Sequence, residues 1–185
     1  MKTLNRLVVC CASGLLFVTA AAAGQQTTRA VVRAPHDRQN APGFRLADAS
    51  GKKMQLSDFR GKPVLVNMWA TGCGGCVQEL PTFVRLDGAY KDQGLAVVGV
   101  SMDIMYEGLA SAKDAWARVN PFAEAHDMKY TILMDDGRVA NAFEVNALPA
   151  TYLIDRHGRI AATYVGIVDP ADLEANIKTI MAERE

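Results

Sequence analysis

The run Val64-Leu-Val-Asn-Met-Trp69 is nearly continuous in apolar residues and follows Pro63. A stretch that short and that apolar predicts a strand with both faces covered, which places it inside a parallel sheet. Cys73 follows four positions on, Cys76 three after that, and Val77, Leu80 and Val84 then recur at helical spacing. Pro81 interrupts this helix, removes one of its backbone hydrogen bonds and predicts a kink. Leu95-Ala-Val-Val-Gly-Val100 is a second buried-strand run. Strand, helix and strand in about 37 residues make a crossover unit of a parallel sheet, right-handed by the general rule. The chain is α/β.

At 185 residues it is sized for one domain. Lys plus Arg equal Asp plus Glu at 20 each, so no net field draws nucleic acid or anionic lipid. At the N-terminus, Lys2 and Arg6 precede an apolar run from Leu7 to Ala23 that ends in small residues. A basic start, an apolar stretch and a small-residue site predict a secretory signal over residues 1–23, cleaved near Ala23. The alternative is an uncleaved anchor that tethers the protein to a membrane. Either way the domain is extracytoplasmic, and the cut leaves 18 basic groups against 20 acidic ones.

Four cysteines then become two, Cys73 and Cys76. A structural disulfide gains with the length of the loop it closes, and a bridge over two residues closes almost nothing. Zinc requires further thiolate or imidazole ligands, and the mature chain offers only His36, His126 and His157, none paired at ligand spacing. The pair reads as redox-active, with no metal and no cofactor. A helix that begins at these cysteines puts Cys73 at its N-terminus, where unpaired amides and the dipole favour a thiolate. Cys76 lies one turn deeper, close enough to bridge. Cys73 is then the exposed, attacking thiol and Cys76 the covered, resolving one.

The rest of the chain supplies the frame. Residues 24–41 are polar without helical or strand period and predict a linker, with His36 solvated in it. Phe44–Ala47 and Lys53–Leu56 flank the turn Asp48-Ala-Ser-Gly51 and predict a hairpin. Asp103–Asn120 has helical composition, Asn120-Pro121 resembles a fresh helix start, and His126 reads as a helix-end residue. Tyr130–Met134 is a short strand, with a turn at Asp136-Gly137. Thr151–Ile154 and Ile160–Val165 pair around Asp155–Gly158, with His157 at the tip. Asp169-Pro170 starts a last helix whose stripe is Leu173, Ile177, Ile180 and Met181.

The stretch from Pro42 through Trp69-Ala-Thr-Gly-Cys-Gly-Gly-Cys-Val-Gln-Glu79-Leu-Pro81 resembles the TlpA/ResA branch of thioredoxin-like proteins. The similarity resumes at Val145-Asn-Ala-Leu-Pro149-Ala-Thr-Tyr-Leu-Ile-Asp155 and continues to Gly166. The resemblance implies a thioredoxin fold over residues 42–185, with an N-terminal β-hairpin extension and a helical insertion in the middle. It implies a cis proline at Pro149 facing the disulfide, and thiol–disulfide exchange with other exported proteins. Members serve as reductants, often for apocytochrome c cysteines, fed by a membrane electron donor of thiol–disulfide type. By position Cys73 attacks, Cys76 resolves, Glu79 is the acid close to the pair and Leu148 contacts substrate; Trp69 reads as a core aromatic and as a substrate contact besides. Asn67 falls where many cytoplasmic thioredoxins have a buried aspartate, which leaves Glu79 as the nearby base; its plain alternative is a favourable acid near a helix N-terminus.

Three positions depart from the family. Gly72 stands where Trp is usual, Gly74-Gly75 lacks the usual proline, and Ala147 replaces a usual Gly. Related dithiol proteins span about 150 mV, so the loop composition bears on the direction of electron flow. Two rival readings are a peroxiredoxin-like peroxidase and a Cu(I) carrier. The first needs a threonine three residues before its cysteine, where Ala70 precedes Cys73 and Cys73 precedes Cys76. The second needs a His or Met beside the thiolates, for which Met68, Met102 and Met134 are candidates. The N-terminal pattern predicts an exported protein beginning near Gly24; mass spectrometry of that form checks this, and an intact Met1 on membrane-bound protein selects the anchor.

Overall fold

The computed structural model of the protein describes residues 26–183; the expected signal, residues 1–23, lies outside them. Among the described residues seven strands form one sheet: β1 (Arg45–Ala47), β2 (Lys53–Gln55), β3 (Val64–Trp69), β4 (Ala96–Ser101), β5 (Thr131–Met134), β6 (Ala150–Ile154) and β7 (Ile160–Val165). Their order is β2-β1-β5-β4-β3-β6-β7. β3 and β5 both run parallel to β4, whereas β6 and β7 return antiparallel on the other side of β3. The five helices among the described residues are α1 (Gly74–Tyr90), α2 (Asp103–Tyr106), α3 (Ala112–Ala125), α4 (Arg138–Ala142) and α5 (Pro170–Ala182). This is the thioredoxin-like arrangement that the resemblance implies.

Every residue of β3 is buried, as its unbroken apolar run requires. Strand alternation sends Leu65 and Trp69 into a core shared with α1, α3 and α5, and Val64, Val66 and Met68 into a second core with α4 and the hairpin. Asn67, between Leu65 and Trp69 in this alternation, is therefore aimed at the α1 side. The hairpin forms with Leu46 opposite Met54 and joins the sheet through Ala47 and Met134.

Three elements differ from expectation. The helix expected to stop at Asn120 instead begins at Ala112 and runs through Pro121 to Ala125. The Ser111 hydroxyl accepts from the Asp114 amide at 3.2 Å and sets the start, while Val119 is buried and Phe122 packs on the same core. Burial on either side of the proline outweighs its missing hydrogen bond. α1 likewise continues through Pro81. The unanticipated α4 is held by the buried Asp135, whose carboxylate accepts the Val139 and Ala140 amides at 3.1 and 2.8 Å.

The third difference is the expected linker. From Thr28 to Ala41 it lies against β7 and α5: Arg33 donates to Ala161 O, Ile160 to Gln39 O and Ala41 to Gly158 O. His36 fits the solvated reading, with its side chain 82% exposed. A polar segment with no period still packs when its partners are backbone groups and ions. Arg38 is the anchor. Its guanidinium, 1% exposed, reaches Asp155 at 3.1 Å and both Glu183 oxygens at 2.5 and 2.7 Å. Burial alone raises the Asp155 carboxyl, but hydrogen bonds from Arg159 and Arg38 hold it below the ordinary range. Arg38→Met should cost about 2–3 kcal/mol in urea unfolding; Arg159 still pairs Asp155, so the loss stays below that of an unrelieved buried charge.

Candidate active site

β3 ends at Trp69, a turn through Ala70–Gly72 follows, and Cys73 is the N-cap of α1. Its Sγ accepts the Cys76 amide at 3.2 Å, so one of the orphan donors of the helix start is spent on sulfur. The two cysteines are joined in a disulfide. Cys73 is 4% exposed and Cys76 fully buried, so the thiol expected to be exposed is itself nearly covered in the oxidised state. The Leu148-Pro149 bond is cis, at the position the resemblance implies.

Glu79 lies beneath the pair on α1, 2% exposed. It is not in the first turn, so the plain reading as an acid at a helix end fails. Asn67 Nδ2 donates to its Oε1 at 2.8 Å and to Thr151 Oγ1 at 3.0 Å, and the Val168 amide donates to its Oε2 at 3.2 Å. Burial pushes the Glu79 carboxyl from 4.5 up to about 7; the Val168 and Asn67 bonds oppose this and do not cancel it. A carboxyl poised there accepts and returns a proton near neutrality. Tyr130, also buried, has its phenol held protonated by desolvation and by the Glu79 and Asp87 carboxylates.

Trp69 fits its core reading and not its substrate-contact one. Its side chain has no exposed surface, and its ring stacks on Phe122 at 5.5 Å between centroids. It faces α3 through the alternation of β3 and serves the core. Leu148, by contrast, is half-buried and follows the exposed Asn146 and Ala147.

The departures at Gly72 and Gly75 have local causes. A Cβ at Gly72 would overlap the Glu107 carboxylate, which occupies the place of a side chain there. Glu107 is held by Arg118 at 3.1 Å, and Arg118 Nε donates to Thr71 Oγ1 at 2.6 Å. The buried Asp103 in turn accepts from the Thr71 amide at 3.2 Å and from Ser101 Oγ at 2.7 Å. These four charged and polar residues brace the turn before Cys73, and sequence reasoning missed them; the one signal was the missing bulk at Gly72. A Cβ at Gly75 would lie 3.3 Å from both Ile167 Cγ1 and Pro149 Cδ, whereas Gly74 faces open space. The Val168 amide carried no signal at all, because a backbone donor has no residue type.

Residues 38–163 match the AhpC/TSA family. The chain is 36% identical over 139 residues to the thioredoxin-like protein YneN of Bacillus subtilis, covering 75% of this chain and 77% of that one. It is 33% identical over 141 residues to the thiol-disulfide oxidoreductase ResA of Geobacillus kaustophilus, covering 76% and 75%. Among solved structures, a putative thiol:disulfide interchange protein DsbE from Chlorobium tepidum superposes with a TM-score of 0.67 at 30% identity, over 78% of this chain and 97% of that one.

The raised carboxyl has a consequence for stability. Between about 4.5 and about 7 the folded oxidised protein binds a proton at Glu79 that the unfolded chain releases. Its contribution is therefore fully present below 4.5 and is lost as pH rises through 7. Glu79→Gln should flatten this decline, which amounts to about 3 kcal/mol in the wild type. Urea unfolding at both ends of the window checks it; equal slopes in the two proteins contradict it.

Proposed function

The chain belongs to the AhpC/TSA family, and from that premise we propose that it is an exported thiol–disulfide oxidoreductase that reduces disulfides of other exported proteins. The observation that carries this is the Cys73 sulfur capping α1 by accepting the Cys76 amide, above a buried carboxyl. In the reduced enzyme the same amide and the helix dipole favour the Cys73 thiolate. That thiolate attacks one sulfur of a substrate disulfide, forming a mixed disulfide and releasing the other substrate sulfur as a thiolate. Glu79 takes the proton of Cys76, whose thiolate then attacks Cys73 Sγ. The second substrate thiol departs and the Cys73–Cys76 bond closes. Two electrons have passed to the substrate, and a membrane donor dithiol returns them by the same exchange run in reverse.

The backbone beside the pair suits an extended polypeptide. The amides of Asn146, Ala147 and Leu148 make no hydrogen bond among the described residues, and Pro149 has no amide hydrogen. The substrate class we assign is exported protein disulfides of the cytochrome c maturation type, which fits the resemblance to ResA-like proteins and the export signal expected over residues 1–23. The rivals find less support. Ala70 stands where a peroxidatic site needs threonine. Met68 and Met102 pack in the core across the sheet from the cysteines, and Met134, which shares the cysteines' core, accepts from Ser101 Oγ at 3.5 Å.

Cys76→Ser should trap covalent complexes with partner proteins, because no second thiol remains to release them, and Cys73→Ser should trap few or none. Equal trapping by both variants, or trapping by Cys73→Ser alone, overturns the assignment of roles. A reduction potential in the lower half of the span of about 150 mV supports the reductive direction, and one in the upper half reverses it.

A further inference from the structure

The segment Gly166–Val168, between β7 and α5, touches each part of the redox site. Its Ile167 side chain packs where a Cβ on Gly75, between the two cysteines, would stand, at 3.3 Å. Its Val168 amide donates to the Glu79 carboxylate at 3.2 Å. Its Gly166 amide donates to the Pro149 carbonyl at 2.8 Å. The segment has no helix or strand of its own to hold it.

What holds it is Thr28, on the N-terminal strap. The Thr28 amide donates to Ile167 O at 2.6 Å, and Thr28 O accepts the Asp169 amide at 2.9 Å, so the two segments form a parallel bridge centred on Val168. The Thr28 hydroxyl donates to Val165 O at 2.8 Å. Gly166 adopts φ +99°, and a Cβ there would approach Thr28 Oγ1 at 3.0 Å, so the fit is close on that side too. Neighbouring contacts fix Thr28 itself: Arg29 pairs with Asp169 at 2.9 Å, and the Ala30 amide donates to Asp172 at 3.1 Å.

We propose that Thr28 is a positioning residue for the Cys73–Cys76 pair, acting through Ile167 on the loop between the cysteines and through Val168 on Glu79. This rests on the reading of the pair as redox-active. A dithiol and a disulfide differ in the geometry of the loop and in the charge beneath it. A clamp on the segment that touches both therefore weights one state against the other. Loss of a Thr28 bond lets Ile167 and Val168 shift, and the ratio of oxidised to reduced protein shifts with them.

The test is the equilibrium of the full protein with glutathione, read as the oxidised fraction, for the wild type and three variants. Thr28→Pro removes the amide donor to Ile167, Thr28→Ala removes the hydroxyl bond to Val165, and Thr28→Ser keeps both. The equilibrium constant should move about two- to tenfold in Thr28→Pro, the worth of one hydrogen bond, by less in the same direction in Thr28→Ala, and not at all in Thr28→Ser. Thermal unfolding is followed alongside. A lowered midpoint with an unchanged equilibrium constant in Thr28→Pro and Thr28→Ala means a structural strap only and overturns the proposal. If Thr28→Pro does not fold, Thr28→Ala against Thr28→Ser decides by the same criterion. A wild-type pair that does not exchange with glutathione overturns the proposed function and this inference with it; exchange with no response to Thr28 overturns this inference alone.

Discussion

The carboxyl of Glu79 is buried at the meeting point of four segments, and the site is arranged around the need to satisfy it. Taking a carboxylate out of water costs several kcal/mol unless hydrogen bonds replace the lost hydration. Asn67 from β3 supplies one donor and Val168 supplies the other, while Thr151 of β6 takes the second proton of the Asn67 amide. These bonds are too few to restore full acidity, so the group stays near neutrality in its titration. An asparagine at position 67 fits this arrangement because it donates; a second carboxylate there would repel the first.

Above that carboxyl the cysteines sit at a junction braced from both sides. On one side the Asp103–Thr71–Arg118–Glu107 chain of contacts holds the turn and lays a carboxylate over Gly72. On the other, Pro149 and Ile167 close on Gly75. Two of the glycines that depart from the family pattern, Gly72 and Gly75, are thus places where neighbouring side chains approach the backbone closely, while Gly74 is open. Rigidity lost with the proline is offset by contacts on Gly75 from outside the loop. The polar residues bracing the turn come from β4, α2 and α3, so the helices between β4 and β5 serve the site as well as the core.

The N-terminal strap and the C-terminus are joined through one buried guanidinium. Arg38 bonds Asp155 at the β6–β7 turn and Glu183 just after α5. Arg33, Gln39 and Ala41 continue the attachment along β7 through backbone bonds. This couples a segment with little apolar content to the edge of the sheet, and it covers part of what would otherwise be an open strand edge.

How far the chain was legible follows from where its information lies. Apolar runs and their periods are carried by side chains, so β3, β4, the β6–β7 hairpin and α5 could be read directly, as could the cysteine pair and its place at a helix start. Motif likeness added the cis bond at Pro149 and the interest of Glu79. Trp69 kept two readings because a tryptophan next to a redox pair reads the same whether its ring faces outward or into α3; only the alternation of β3 with α3 above it decides. The strap from Thr28 to Ala41 was unreadable because its partners are backbone groups along β7 and charged side chains far away in sequence, which no local pattern pairs with it. The charge state of Glu79 belongs to the same class. Sequence by itself determined which groups carry the chemistry, since reactivity resides in residue types; tertiary structure alone decided their burial, donors and neighbours, since desolvation and hydrogen bonding depend on segments brought together from 89 positions apart, as Glu79 and Val168 are.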